Sequence, residues 1–246
     1  MRLSVLKTPA EGPDEEEGLR FTVPQFPAGE PPPQEACRPL LPEVGDPEDL
    51  PVFWSEGLVR RVVKNEKGYR RKHSQHWRER CWLLAGSVRR AADGSLWGLI
   101  ERILPARNLT ATAGSFEFSP LTWSSFVQNL EARGQIGMGW LHTHSLKFLA
   151  EMPDEMEKGQ NSAGGEKTLI DPAERARRTR SGLFLSGTDV FSAWKRGFGM
   201  PHHLTCVLDS DACLKSGRET PLSEVLGVWG WAGLRLQRRS IHIVRE

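Results

Sequence analysis

The Asp93-Gly94 pair lies between two short apolar runs, 81–85 (CWLLA) and 96–100 (LWGLI), and restricts the fold more than any other feature of the 246-residue chain. Asp-Gly readily takes up the positive backbone dihedrals of a tight hairpin turn, so the two runs are expected to be adjacent antiparallel strands. A sheet is therefore required, and the surrounding pattern adds helices to it. The second strand continues through 101–104 to Pro105, and 115–118 (SFEF) alternates as a further strand would. Ser119 and Pro120 then supply an N-cap and a first-turn proline for a helix over 121–133, which Gly134 closes. The run 136–141 (IGMGWL) predicts a buried strand that leads into His142, Thr143 and His144. Apolar residues at 52–54, 58–59 and 62–63 recur at helical spacing and predict an amphipathic helix as the first packed element. Strands are expected at 181–185, 204–208, 228–231 and 243–244, with a helix from about residue 189 to 196. The class is α/β, without internal repeats.

Composition divides the chain. Residues 1–50 carry eleven acidic against four basic residues and ten of the 17 prolines, which leaves 29 basic and 20 acidic residues for the body. Such a leader cannot bury enough apolar area to offset its chain entropy, so 1–50 is expected to be a mostly disordered arm, with 19–26 able to add a short strand to a sheet edge. The packed domain is expected over 51–246. Within it, 145–180 is polar, charged and glycine-containing, and is expected to be a mobile insertion. No membrane-length apolar stretch and no secretory signal is evident, and the four cysteines have no paired spacing. A reduced protein of the cytoplasm, without membrane association, is the expectation.

Three features carry chemistry. Histidines two apart on a strand project from the same side, so His142 and His144 can hold one ion between them. Ser186 and Asp189 form an S-x-x-D pattern that is equally an ordinary helix N-cap. Glu101 stands inside an apolar run, where a carboxylate is either solvated or used. Two imidazoles and a carboxylate make up the protein ligand set of an open zinc site, and the bound water then needs a base and an oxyanion donor. Glu101 and Ser186 have the chemistry for those tasks.

Together these residues resemble the JAMM/MPN metalloproteases, particularly the bacterial JAB-type members, whose signature is a Glu followed by H-x-H-x7-S-x-x-D. The resemblance spans about residues 51–244. It implies a curved mixed sheet flanked by helices, similar to the cytidine-deaminase fold. It also implies zinc held by His142, His144 and Asp189, with Glu101 as general acid/base and Ser186 assisting the oxyanion. The implied activity is an isopeptidase or peptidase that cuts after the C-terminal glycine of a ubiquitin-like or sulfur-carrier protein, in the company of an activating (E1-like) enzyme. The chain departs from the pattern in having 41 residues between His144 and Ser186, not seven, and Ser145 where the family usually has proline.

Two other readings compete. A non-catalytic MPN scaffold would be expected to lack ligands, whereas all five positions are filled. A nucleic-acid-binding protein would use the nine basic residues between Arg60 and Arg80, which face only Glu66 and Glu79, with His76 and Trp77 as stacking groups. A nucleobase deaminase is excluded because H-x-E and P-C-x-x-C are both missing.

Overall fold

The computed structural model describes residues 26–42, 50–74, 78–106, 109–111, 116–146, 181–186, 189–190, 192–193, 200–232 and 235–245. The strand expected at 19–26, apart from Phe26, the stacking pair at 76–77, and the insertion expected over 145–180, apart from Ser145 and Leu146, lie outside the described residues. Among the described residues there are eleven strands: β1 (Cys37–Pro39), β2 (Val52–Ser55), β3 (Cys81–Arg90), β4 (Leu96–Pro105), β5 (Leu109–Ala111), β6 (Phe116–Phe118), β7 (Ile136–His144), β8 (Leu204–Asp209), β9 (Leu226–Ala232), β10 (Arg235–Arg238) and β11 (His242–Val244). Helices α1 (Glu56–Lys72), α2 (Pro120–Glu131) and α3 (Ser210–Lys215) accompany them. Nine strands form one mixed sheet in the order β1-β11-β2-β4-β3-β7-β8-β9-β10, and β5 pairs with β6 apart from it. The pairings β11–β2, β2–β4 and β7–β8 are parallel and the rest antiparallel.

The hairpin expected around Asp93-Gly94 is β3–β4, with Gly94 at φ 87°. Ser119 caps α2 by accepting from the Thr122 amide, and Pro120 occupies its first turn. Gly134, at φ 60°, ends the turn that follows α2.

Two expectations are corrected. Residues 52–54 are a strand, not the start of a helix, because they pair with β4 and β11 and are buried; α1 begins at Glu56, capped by the Ser55 hydroxyl. The apolar run 181–185 is irregular chain, not a strand. The sheet also draws on the segment expected to be an arm: β1 pairs with β11, and Pro27 and Gly29 exchange backbone hydrogen bonds with Arg90. Strand pairing satisfies backbone groups whatever the local proline content, provided the strand lies at an edge.

The sheet separates two apolar layers. On one face, Val59, Val62 and Val63 of α1 pack with Trp54, Leu84, Leu141 and Leu208. On the other, Phe126 of α2 packs with Cys81, Leu83, Ala85 and Trp140. Strand alternation alone would not give β7 these faces. The β3–β7 register shifts so that Leu84 lies opposite Gly139 and Ala85 opposite Gly137, leaving Met138 as an extra residue. Such a bulge re-aims every side chain beyond it. Here it puts Trp140, and with it His142 and His144, on the α2 face. Gly139 makes this possible: its φ is 120°, and a Cβ there would lie 1.9 Å from the Leu204 carbonyl oxygen of β8.

Candidate metal centre

His142 and His144 occupy the last turn of the β7 pleat, both buried, with their Nε2 atoms 3.1 Å apart. Asp189 closes the group: its Oδ1 lies 3.1 Å from His142 Nε2 and its Oδ2 3.5 Å from His144 Nε2. One donor atom from each residue can be chosen with all three within 4.8 Å of one another. A zinc ion at its usual 2.0–2.1 Å bonds keeps neighbouring tetrahedral ligand atoms about 3.3 Å apart, so these spacings suit it. No other such group of ligating side chains occurs among the described residues.

The protonation states suit it too. Burial pushes the His144 imidazole below its ordinary value, against the pull of Asp189. Burial works the other way on Asp189, but the charges and hydrogen bonds of His142 and His144 hold its carboxyl well below the usual range. The set is thus a neutral imidazole and an ionised carboxylate in a water-poor place. Phe184 lies against His144 and Trp140 meets His142 edge-on, with ring centroids 4.7 and 6.2 Å apart respectively.

Asp189 is aimed by its own helix start. The Ser186 amide and hydroxyl both donate to Asp189 Oδ2 at 2.7 Å, the Asp189 amide returns a bond to Ser186 Oγ at 3.2 Å, and the Val190 amide reaches the Ser186 carbonyl. This reciprocal arrangement is a capping box with Asp in the last position. The helix-cap and metal-ligand readings of S-x-x-D therefore describe the same geometry.

Glu101 is not with this group. It sits on β4 opposite the Ala85/Gly86 register shift of β3, whereas His142 lies opposite Cys81 on the other side of that strand. At 3.3 Å per residue the two are about 15 Å apart along the strands. There Glu101 accepts hydrogen bonds from Ser87 (2.9 Å), Arg89 (3.1 Å) and Gln135 (2.5 Å). Burial resists its ionisation, but those bonds and the Arg89 charge win and lower its pKa. A carboxylate so held is a poor proton acceptor.

A different glutamate lies beside the group. The Cys81–His142 register is carried one residue further by the Thr143 amide on the Arg80 carbonyl and the Arg80 amide on Thr143 Oγ1. Glu79 is thereby level with His144 and on the same face. It is 5% exposed, and its pKa is raised well above the ordinary value, first by burial and then by the charge of Asp189. A cavity of about 220 Å³ lies against it, walled by Tyr69, Arg80, Trp82 and Pro105. A second, of about 460 Å³, shares Pro105 and is lined by Leu83, Leu104, Thr122 and Phe126.

The sequence did hold a signal for Glu79. Only two acids interrupt the basic run 60–80, and both are buried. Glu66 accepts from Ser210 Oγ at 2.6 Å and pairs with Arg80 at 3.2 Å. Much of the run is knitted into the fold: Arg60 pairs with Glu56, Arg70 with Asp211, and Arg80 also lies over the Tyr69 and Trp82 rings.

No family model matches the chain, and no curated protein does. Among solved structures it is similar to the solution structure of protein DSY2949 from Desulfitobacterium hafniense, at 14% identity over 79% of this chain and 94% of that one, with a TM-score of 0.46. Among the described residues no helix is long and apolar enough to cross a membrane.

Proposed function

We propose that the chain is a zinc-dependent peptidase of the JAMM/MPN type, acting as an isopeptidase or peptidase after the C-terminal glycine of a ubiquitin-like or sulfur-carrier protein. The observation that carries the reading is the convergence of His142, His144 and Asp189 on one point, with Ser186 bonded to Asp189 and Glu79 on the same face. The mixed sheet with helices on both faces is compatible with an MPN fold.

In this reading His142 and His144 supply Nε2 and Asp189 a carboxylate oxygen. Zinc, when bound, supplies Lewis acidity toward the scissile carbonyl and lowers the pKa of water. Glu79, not Glu101, holds the proton that must be taken up and passed to the leaving amine; its desolvated carboxyl has the raised affinity such a carrier needs. Ser186 Oγ–H is the oxyanion donor, turning from Asp189 to the substrate oxygen. The apolar walls of Trp140 and Phe184 keep bulk water from competing. An activating enzyme that prepares the same glycine terminus is the expected partner.

The test is elemental analysis of the purified full chain together with hydrolysis of a fluorogenic C-terminal amide of a glycine-ending ubiquitin-like protein. One zinc per chain is expected, lost in His144→Ala and Asp189→Ala, with cleavage that chelation stops and zinc restores. Full metal content in His144→Ala, or cleavage indifferent to chelation, would overturn the reading.

A further inference from the structure

The route of the chain away from His144 and back to Ser186 is fastened at both ends to one short segment, the β8–α3 junction. At the departing end, Ser145 is fully buried and its hydroxyl donates to Asp211 Oδ2 at 2.9 Å; Arg70 of α1 holds the other oxygen of that carboxylate at 3.0 Å. At the returning end, the Gly182 amide donates to Asp209 Oδ2 at 2.8 Å, and the Gly182 carbonyl accepts from His144 Nδ1 at 3.2 Å. Asp209 is itself 5% exposed and lies directly opposite His144 in the parallel β7–β8 ladder. Its other oxygen, Oδ1, caps α3 by accepting from the Asp211 and Ala212 amides, both at 2.9 Å. One carboxylate thus divides its oxygens between starting a helix and holding Gly182.

The chemistry of imidazole gives that contact a consequence. A histidine can present Nε2 to an ion only if its remaining proton is on Nδ1, and the acceptor that Nδ1 faces decides this. For His144 that acceptor is a main-chain carbonyl in irregular chain, which no sheet or helix fixes in place. Its position is set by two local bonds: the Phe184 amide donates to it at 3.1 Å, and the Gly182 amide is held on Asp209. The fit is close as well: a Cβ on Gly182 would meet Asp209 Cγ at 3.0 Å and its oxygens at 3.2 and 3.3 Å, so a side chain there would push the carboxylate back by a few tenths of an ångström.

We propose that Asp209 is a positioning residue for the metal centre, holding the Gly182 carbonyl on His144 Nδ1 so that Nε2 faces the ion. The proposal rests on the metal-site reading above and adds a residue that touches neither ion nor substrate. It also accounts for the tolerance of 41 residues between His144 and Ser186: the ligand's orientation is secured at Gly182, before the chain reaches Ser186.

The test separates the two duties of Asp209 in the full-length protein. Asp209→Ser keeps a side chain that caps helices well but is too short to reach Gly182. Asp209→Asn also keeps a capping oxygen, while turning an NH2 donor toward the Gly182 amide. Both should unfold cooperatively and retain the wild-type circular dichroism spectrum. Zinc affinity, measured by chelator competition, is expected to fall roughly 10- to 100-fold in both, the usual scale for losing such an outer hydrogen bond. In the metal-free protein, long-range 1H–15N spectra should show the Nδ1–H tautomer of His144 in the wild type and a shift toward Nε2–H in both variants. Gly182→Ala should reproduce the loss of affinity with α3 and its cap intact. Wild-type affinity and an unchanged tautomer in the Asp209 variants would overturn the role of Asp209 while leaving the centre standing. Failure of the wild-type chain to bind zinc would overturn the centre, and this role with it.

Discussion

Replacing Glu79 by glutamine should raise stability and lower turnover, whereas replacing Glu101 by glutamine should lower stability and leave turnover near wild type. In the metal-free protein Glu79 has a folded-state pKa raised above its ordinary 4.5 by burial and by Asp189. The folded state therefore binds that proton more tightly than the unfolded chain does. Glu79 costs stability increasingly as pH rises from 4.5 through the raised value, so at neutral pH the charge is a burden. Glutamine fills the same space without the charge and should recover roughly 1–3 kcal/mol, the scale of an incompletely compensated buried polar group. At about 2–4 °C per kcal/mol for a chain of this size, Tm should rise by several degrees. Glu101 is the reverse case: its lowered pKa means a contribution present above 4.5 and lost as pH falls through the folded value. Its Arg89 partner is 36% exposed, so solvent discounts the ion pair. The glutamine amide also faces the Gln135 donor, and the net loss should be about 1 kcal/mol. Calorimetry of chelator-treated protein at neutral pH reads both shifts. With zinc restored, Glu79→Gln should lower cleavage of the fluorogenic amide roughly 10²- to 10⁴-fold, the scale of a lost proton carrier, and Glu101→Gln should leave it near wild type. A destabilised Glu79→Gln, or a zinc-loaded Glu101→Gln that no longer turns over, would refute the assignment.

Two further outcomes follow from other parts of the sheet. His202 is buried and its pKa is lowered from 6.5 to about 4, so the unfolded chain takes up the proton first as the solution is acidified. Its share of stability is complete above 6.5 and is lost as pH falls toward the folded value, amounting to about 3 kcal/mol; urea titrations between neutrality and pH 4 should show that slope, and His202→Gln should flatten it. Gly139→Ala forces a side chain into φ 120° and onto the Leu204 carbonyl, and should cost about 3 kcal/mol or more together with zinc binding. A stable, zinc-replete Gly139→Ala would show that the bulge does not aim the histidines.

What could be read from the sequence was whatever local chemistry decides. The β3–β4 hairpin was legible because Asp93-Gly94 suits only a tight turn. The start of α2 was legible because Ser119 and Pro120 each do one thing at a helix N-terminus. His142, His144, Ser186 and Asp189 were gathered by their resemblance to the JAMM/MPN signature, since strand alternation and helix capping relate only the two members of each pair. Glu101 and Glu79 could not be ranked in that way. Which glutamate is desolvated beside Asp189 depends on the register of β3 against two neighbours and on the extra residue at Met138, and those are pairings between distant segments. The same cause hid β2: residues 52–54 carry an apolar pattern that a helix would also use, and only their parallel partners β4 and β11 make them a strand. β1 was obscured by its proline-rich surroundings, since its partner lies at the far end of the chain.

The two carboxylates at the β8–α3 junction also make the stretch between Ser145 and Gly182 a natural port for grafting. The closure entropy of a flexible splice grows only as the logarithm of its length, so a 41-residue splice in place of a seven-residue one would cost only about 1.5 kcal/mol. With Asp211 gripping one doorpost and Asp209 the other, the mechanical consequences of what is threaded between them stop at the frame. A peptide epitope, a protease site or a small folded reporter spliced there would be carried within reach of the His142–His144–Asp189 group without a redesign of the residues that build it.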